Sequence, residues 1–255
     1  MPALPFEREQ PMQGEKADLI ARLKMDILPL EGLRAVHTGD NPYPGLGALN
    51  RAFPLGKFPL GAVHEFVCEG VETSAATTGF ISGMLGSLMN KGGAAVWIGS
   101  GRTLFPPALK MFGIDPERIV FVDLQKEKDI LWAMEEALKC RGLSAVICEM
   151  PELSFTVSRR FQLAVEQSLV TGFILRTNPR NLNTNACVSR WNIKSLPSET
   201  DEDLPGLGFP RWKVNLLKIR NGKPGTWHLE WAAGCFRFIK EQIPSIFLEP
   251  KRKTG

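Results

Sequence analysis

Short apolar runs alternate with helix-patterned segments through the middle of the chain, and this alternation limits the fold more than any other feature. Between the runs, residues 126–141 and 154–170 place apolar side chains on one helical face. The strand-like runs are residues 61–69, 94–98, 119–122, 145–148 and 172–175. Such alternation is typical of βαβ units. We therefore predict an α/β fold whose mostly parallel sheet is covered by helices on both faces.

Composition and turn signals divide the chain into six segments. Leu19, Leu23 and Ile27 share one face of a predicted helix, and an Asn-Gly turn within 220–225 joins two β-rich runs. We predict a flexible tail at 1–14, an N-terminal helix and Gly/Pro-rich connector at 15–60, a core at 61–194, an acidic loop at 195–210, a β-hairpin completing the core at 211–243, and a basic tail at 244–255.

The overall composition excludes several classes of protein. The 255 residues are 44% hydrophobic, and no apolar run approaches the roughly 20 residues that span a bilayer. Five scattered cysteines form no Cys-x-x-Cys pair, so we predict neither a metal site nor a disulfide framework. The net charge of +4 is lower than expected for a dedicated nucleic-acid binder. These features predict a cytoplasmic protein without membrane contact or cofactor.

Residues 70–78, between the first predicted strand and a helix, stand where a phosphate-binding loop would stand. That loop needs Gly-x-x-x-x-Gly-Lys-Ser/Thr, in which the lysine reaches the β- and γ-phosphates and the hydroxyl holds Mg²⁺. Gly70 and Thr77 remain here, whereas Ala75 and Ala76 replace the Gly-Lys pair. We therefore predict no ATPase activity. Two interpretations stay open, a hydroxyl-capped helix start and a weak anion site.

These residues resemble the RecA family. Residues 61–78 resemble the start of the RecA core, and 95–115 resemble its next strand and helix. The resemblance covers roughly residues 45–180. It implies a RecA-like core with a degenerate P-loop, with Gly101 in place of the catalytic glutamate and Glu149 in place of the Walker B aspartate.

The whole chain resembles a narrower family, the ImuA proteins, through motifs in its C-terminal third. The motifs that carry this resemblance are residues 186–191 (ACVSRW), 211–218 (RWKVNLLK) and 220–227 (RNGKPGTW). It implies a non-catalytic accessory factor in SOS-induced, error-prone translesion DNA synthesis. The implied partners are RecA, an ImuB-type inactive Y-family polymerase and an error-prone polymerase.

Three groups of residues are candidates for contact with partners. Leu19, Leu23 and Ile27 would contact RecA or another partner, or else pack on the chain's own core. Arg176, Arg180 and Arg190 flank or lie in a segment where RecA carries a DNA-contacting loop. They would give a weak DNA contact, unless the segment is a solvated loop. Trp191, Trp212, Trp227 and Trp231 would form either a DNA platform or the core of a β-lobe.

Three other functions compete with the accessory factor. A SulA-like inhibitor of cell division would share a RecA-like fold without a P-loop and bind FtsZ. A weak nucleotide-binding switch would depend on Thr77 and Glu149. A protein that binds single-stranded DNA without partners is disfavoured by the modest net charge.

Overall fold

The computed structural model describes residues 18–20, 22–23, 46–54, 56–90, 92–101, 104–199 and 208–239. The predicted tails and Ile27 lie outside these residues. No helix among them is long and apolar enough to cross a membrane.

A single sheet of nine strands forms the centre of the fold. The strands are β1 Val63–Cys68, β2 Ala94–Gly99, β3 Ile119–Asp123, β4 Leu143–Met150, β5 Thr171–Thr177, β6 Ser189–Leu196, β7 Arg211–Ile219, β8 Gly225–Ala232 and β9 Cys235–Phe238. Their spatial order is β3-β2-β4-β5-β1-β6-β7-β8-β9. The pairs from β3 to β6 are parallel, and β7, β8 and β9 add antiparallel strands. The predicted α/β class with a mostly parallel sheet is confirmed.

Helices cover both faces of the parallel part of the sheet, as predicted. They are α1 Gly70–Met89, α2 Glu127–Lys139 and α3 Phe155–Ser168, and short 3-10 turns form at Gly47–Ala52, Pro106–Phe112 and Pro116–Arg118. One apolar cluster lies between the sheet and α1 and includes Phe66 of β1. A second lies under α2 and α3 and includes Val63 of the same strand. Strand alternation thus divides the core between the two faces.

The Gly/Pro-rich connector contributes to the core, although the sequence predicted little regular structure there. Leu49, Phe53 and Phe58 are buried. The ring centroids of Phe53 and Phe58 lie 6.1 and 6.3 Å from that of Trp191. Large apolar side chains between the glycines and prolines therefore hold this segment against the sheet.

The C-terminal part of the sheet is larger than the predicted two-stranded hairpin. Strand β6, which the sequence analysis did not assign, pairs in parallel with β1 and antiparallel with β7. Strand β9 adds a further antiparallel neighbour to β8. Because β6 alternates buried Trp191 and Ile193 with more exposed polar residues, it carried a strand signal that was overlooked.

Candidate functional site

A single residue, Glu69, separates β1 from α1, and Gly70 is the first residue of the helix. Gly70 has a φ of 84°, which glycine adopts without steric cost. Its N–H donates to Oδ1 of Asn178 at 2.7 Å. Helix α1 begins at this residue and no side-chain hydrogen bond caps it, so the interpretation as a hydroxyl-capped helix start is wrong. Without a second glycine, residues such as Ala75 and Ala76 favour the helix.

This helical start removes the geometry of a phosphate-binding loop. Beyond the first turn, the N–H groups of a helix bond to carbonyls four residues earlier, so they cannot encircle a phosphate. Ala76 is 7% exposed and Thr77 fully buried. The Sγ of Cys68 donates to Oγ1 of Thr77 at 3.4 Å. The hydroxyl that would hold Mg²⁺ is therefore packed against β1.

A cavity of about 660 Å³ lies beside the start of α1. It is bounded by α1, the Pro106–Phe112 turn and the carboxyl ends of the strands, the edge at which open α/β sheets bind ligands. Its lining includes Gly70, Ser74, Ala75, Gly101, Phe105, Glu149 and Trp212. Among the described lining residues, Glu149 is the only charged one, and none is lysine or arginine. Among these described lining residues, a triphosphate placed there would meet one acid and no cation.

A hydrogen bond from Trp97 positions Glu149 in this cavity. Its Oε1 accepts from Nε1 of Trp97 at 2.7 Å. Burial raises the pKa of the Glu149 carboxyl, the Trp97 bond lowers it, and the nearby Asp123 carboxylate raises it further. Three or more potential metal ligands do not come together anywhere in the described part of the chain.

Arg176 lies in a buried ion cluster and not on a DNA-binding surface. Its side chain is 0% exposed, and Nη1 donates to Oε1 of Glu65, which is equally buried, at 2.8 Å. Nη2 donates to Oε2 of Glu152 at 3.0 Å. The prediction that Arg176 contacts DNA is therefore wrong, because carboxylates inside the fold already bind its guanidinium.

The other two predicted DNA contacts differ in their surroundings. The side chain of Arg190 is only 13% exposed, and its Nε donates to Oε2 of Glu65 at 2.5 Å. Arg190 thus completes the buried cluster from the other side, and its Nη2 also donates to the carbonyl of Asn183. Arg180 is exposed, with its backbone N–H donating to Oε1 of Glu152 at 3.1 Å. Of the three arginines, only Arg180 presents its side chain openly to solvent.

The two predicted partner residues that the structure describes are exposed, whereas most of the predicted tryptophans are buried. Leu19 and Leu23 are helical and 57% and 51% exposed. Trp191, Trp212 and Trp231 are no more than 5% exposed. These three tryptophans belong to the apolar cluster under α1, with Trp227 packed against it. They pack the β-lobe, and the alternative of a DNA platform does not apply to them.

Three residues that organise this region were not predicted from the sequence. They are Glu65 and Glu152, which bind Arg176, and Asn178, which fixes Gly70. One signal was available, because buried strands of a parallel sheet are normally apolar throughout. A glutamate within residues 63–68 and an arginine at the end of 172–176 therefore predicted a buried ion pair between the two strands.

Similarity to solved structures agrees with the fold. The crystal structure of the RadB recombinase has a TM-score of 0.51 and 10% identity, covering 73% of this chain and 95% of that one. A KaiC-like protein from Pyrococcus horikoshii OT3 has a TM-score of 0.52 and 14% identity, covering 82% of this chain and all of that one. At these identities the likeness shows a RecA-like fold alone.

Sequence similarity is more specific. No family model matches the chain. Protein ImuA of Caulobacter vibrioides strain NA1000 / CB15N is 35% identical over 198 residues, which cover 73% of this chain and 81% of the relative. ImuA of strain ATCC 19089 matches with the same values. With more than two thirds of both chains aligned at this identity, the chain belongs to the ImuA family.

Proposed function

We propose that this protein is a non-catalytic accessory factor in SOS-induced, error-prone translesion DNA synthesis. Membership of the ImuA family supports a role in the mutagenic translesion cassette. The observation that carries the non-catalytic part is the cavity beside α1, whose described lining has one acid and no cation. Phosphoryl transfer depends on cations that neutralise the phosphates, so a cavity of this kind favours a role through partners.

The positions that would perform ATP hydrolysis support the same conclusion. Ala76 stands at the lysine position and is buried in a helix. Gly101, in place of the catalytic glutamate, has no side chain with which to activate water. A weak nucleotide switch, which would use Thr77 and Glu149, is disfavoured because Thr77 is buried against Cys68.

The proposed partners are RecA, an ImuB-type inactive Y-family polymerase and an error-prone polymerase, acting in the cytoplasm. Leu19 and Leu23 are more than half exposed on the N-terminal helical segment. Exposed leucines at this spacing provide anchors that a partner groove could bury. We assign RecA contact to this pair. A weak DNA contact through Arg180 stays a prediction.

The experiment is a calorimetric titration of the full chain with RecA from the same organism, with and without single-stranded DNA and ATP. We expect binding in at least one condition and a loss of at least about tenfold in the Leu19→Asp/Leu23→Asp variant, since two buried leucines contribute several kcal/mol. Leu163, 45% exposed on α3, supplies the control variant Leu163→Asp, which should bind like the wild type.

Three results would contradict the proposed function or the assignment of RecA contact to Leu19 and Leu23. No binding to RecA under any condition would remove RecA from the partners. An equal loss in the control variant would remove Leu19 and Leu23 from the surface. FtsZ serves as a parallel titrant, and binding to FtsZ in place of RecA would favour the SulA-like inhibitor.

A further inference from the structure

One face of the antiparallel part of the sheet is free of any described helix. The inward side chains of β6 to β9, such as Trp212, Val214 and Phe236, belong to the apolar cluster under α1. The cluster under α2 and α3 contains no residue of β6 to β9. We call the outward side of these strands the open face. It continues the α3-covered side of the sheet, because Arg190 lies there and bonds Glu65.

Side chains on the open face form rows across the strands. In one row Thr226 donates to Oδ1 of Asn215 at 3.0 Å, and Asn215 donates to Oδ1 of Asn192 at 3.4 Å. These bonds show that the three side chains share the face. Two residues further along β6, Lys194 lies opposite Lys213, and Lys213 lies opposite His228. This second row, Lys194–Lys213–His228, is the basic row.

The basic row is an unusual arrangement for a protein surface. Like charges directly opposite on neighbouring strands destabilise a sheet, and the two lysines occupy such positions. Lys194 is exposed and Lys213 partly so. Among the described residues, no carboxylate pairs with either lysine, whereas Arg211 at the edge of the face pairs with Glu230 and Glu199. The repulsion is thus left uncompensated within the described fold.

The chemistry of the open face fits a polyanion better than a protein. Lysine is depleted in the cores of protein interfaces, where aromatic anchors are enriched. Most aromatic residues of these strands pack on the opposite side, namely Trp191, Trp212, Trp227, Trp231 and Phe236. Amide and hydroxyl groups flank the lysines. Such groups and lysines are common ligands of DNA phosphates.

The same observations favour duplex over single-stranded DNA. Proteins that bind single strands stack bases on aromatic side chains, whereas Trp191, Trp212, Trp231 and Phe236 of these strands are buried on the α1 side and Trp227 packs against that cluster. Adjacent strands are about 4.8 Å apart, so the basic row spans about 10 Å. Duplex DNA carries one charge per roughly 1.7 Å of axis, which places several phosphates within that span.

We propose that the open face binds the phosphate backbone of duplex DNA, without regard to sequence, through Lys194 and Lys213. This inference goes beyond the proposed function, because contact with RecA and polymerases requires no DNA contact by this chain. It also uses a surface other than Arg180. The accessory factor would then bind duplex DNA next to its protein partners.

The test measures binding of the full chain to a fluorescein-labelled 30-base-pair duplex by fluorescence anisotropy, from 50 to 200 mM NaCl. We expect Lys194→Gln/Lys213→Gln to weaken binding at least about tenfold at 50 mM and to reduce the salt slope by about two. The variant should be at least as stable as the wild type, because it removes the cross-strand repulsion. A single strand of equal length should bind more weakly.

The control variant is Lys110→Gln/Lys128→Gln, which changes two exposed lysines elsewhere and lowers the net charge equally, from +4 to +2. It should bind like the wild type. The proposal is overturned if the wild type does not bind the duplex at 50 mM NaCl, if both variants lose affinity equally, or if the single strand binds more tightly. Binding of a fluorescein-labelled acidic peptide, lost in Lys194→Gln/Lys213→Gln, while duplex DNA does not bind would overturn the proposal and identify the face as a protein interface.

Discussion

The cavity beside Gly70 and the ion cluster around Glu65 differ in how their charged side chains are paired. Among its described lining residues, the cavity has no cation and one acid, Glu149, which accepts a hydrogen bond from Trp97. The cluster has kept its charges but uses them internally, since Arg176 and Arg190 both bond Glu65. The difference shows that a charged residue in the sequence signals external binding only if the fold leaves it without an internal partner.

The largest effect should come from breaking the ion cluster. Glu65→Gln leaves two buried or nearly buried arginines without their shared carboxylate, and we expect the free energy of unfolding to fall by about 3–5 kcal/mol. Urea unfolding measures this loss. Arg180→Ala, at an exposed position, is the control and should change stability by less than about 0.5 kcal/mol. A Glu65→Gln cost under about 1 kcal/mol would show that the cluster is not buried as described.

Restoring the lost cation should not restore the nucleotide site. Ala76→Lys places a long charged side chain at a position that is 7% exposed, and overpacking should lower the free energy of unfolding by up to about 3 kcal/mol. Thermal unfolding of this variant is compared with that of Ala75→Lys, which adds the same charge at an exposed position. The difference between the two isolates the effect of overpacking from that of the added charge. Measurable ATP binding by a fully stable Ala76→Lys variant would contradict the helical geometry.

His64 extends the comparison to a buried group that stays neutral. Its Nδ1 lies 2.6 Å from Oγ of Ser189, and Nε2 lies 2.8 Å from the carbonyl of Pro59. Burial lowers the pKa of His64 from 6.5 to about 3, while the bond to Pro59 opposes the shift. As the pH falls below 6.5, His64 gains a proton in the unfolded chain but stays neutral in the folded one. The free energy of unfolding is therefore highest above pH 6.5 and decreases as the pH falls toward 3.

Between pH 6.5 and 5 we expect His64 to reduce the free energy of unfolding by about 2 kcal/mol, at about 1.4 kcal/mol per pH unit. Urea unfolding at several pH values measures this slope. The His64→Gln variant is less stable at pH 7 but should show a flatter dependence over this interval. An unchanged slope in the variant would mean that another group controls the loss.

The smallest effect should come from the acid in the cavity. Glu149→Gln keeps an oxygen that accepts from Trp97, and burial already disfavours the charged carboxylate. We expect a change of less than about 1 kcal/mol in the free energy of unfolding, measured by urea unfolding beside Glu65→Gln. A loss as large as that of Glu65→Gln would make the two regions alike and remove the contrast between them.

Local patterns predicted the architecture because each buried strand and each amphipathic helix carries its own periodicity. Residues 126–141 and 154–170 enclose the observed α2 and α3. Strand β6 was missed because an Asn-rich segment precedes it and obscured its period-two alternation. The glycines and prolines of the connector predicted an irregular segment, whereas its buried Leu46, Leu49, Phe53 and Phe58 determine how it packs.

The candidate site was predicted only in part, because its character depends on contacts distant in sequence. The loss of the Gly-Lys pair was visible in residues 75–76. The pairing of Glu65 with Arg176 spans 111 residues, and that with Arg190 spans 125. The position of Gly70 likewise depends on Asn178, 108 residues away. Sequence patterns within one segment do not report such partners.

The central claim is that the cavity beside α1 does not serve as a nucleotide site. It is tested most directly by calorimetric titration of the full chain with Mg·ATP. We predict no saturable binding up to about 1 mM, where a Kd corresponds to about 4 kcal/mol of binding free energy. Saturable binding in the micromolar range, lost when Gly101→Trp fills the cavity wall, would contradict the account and reinstate a nucleotide-dependent switch.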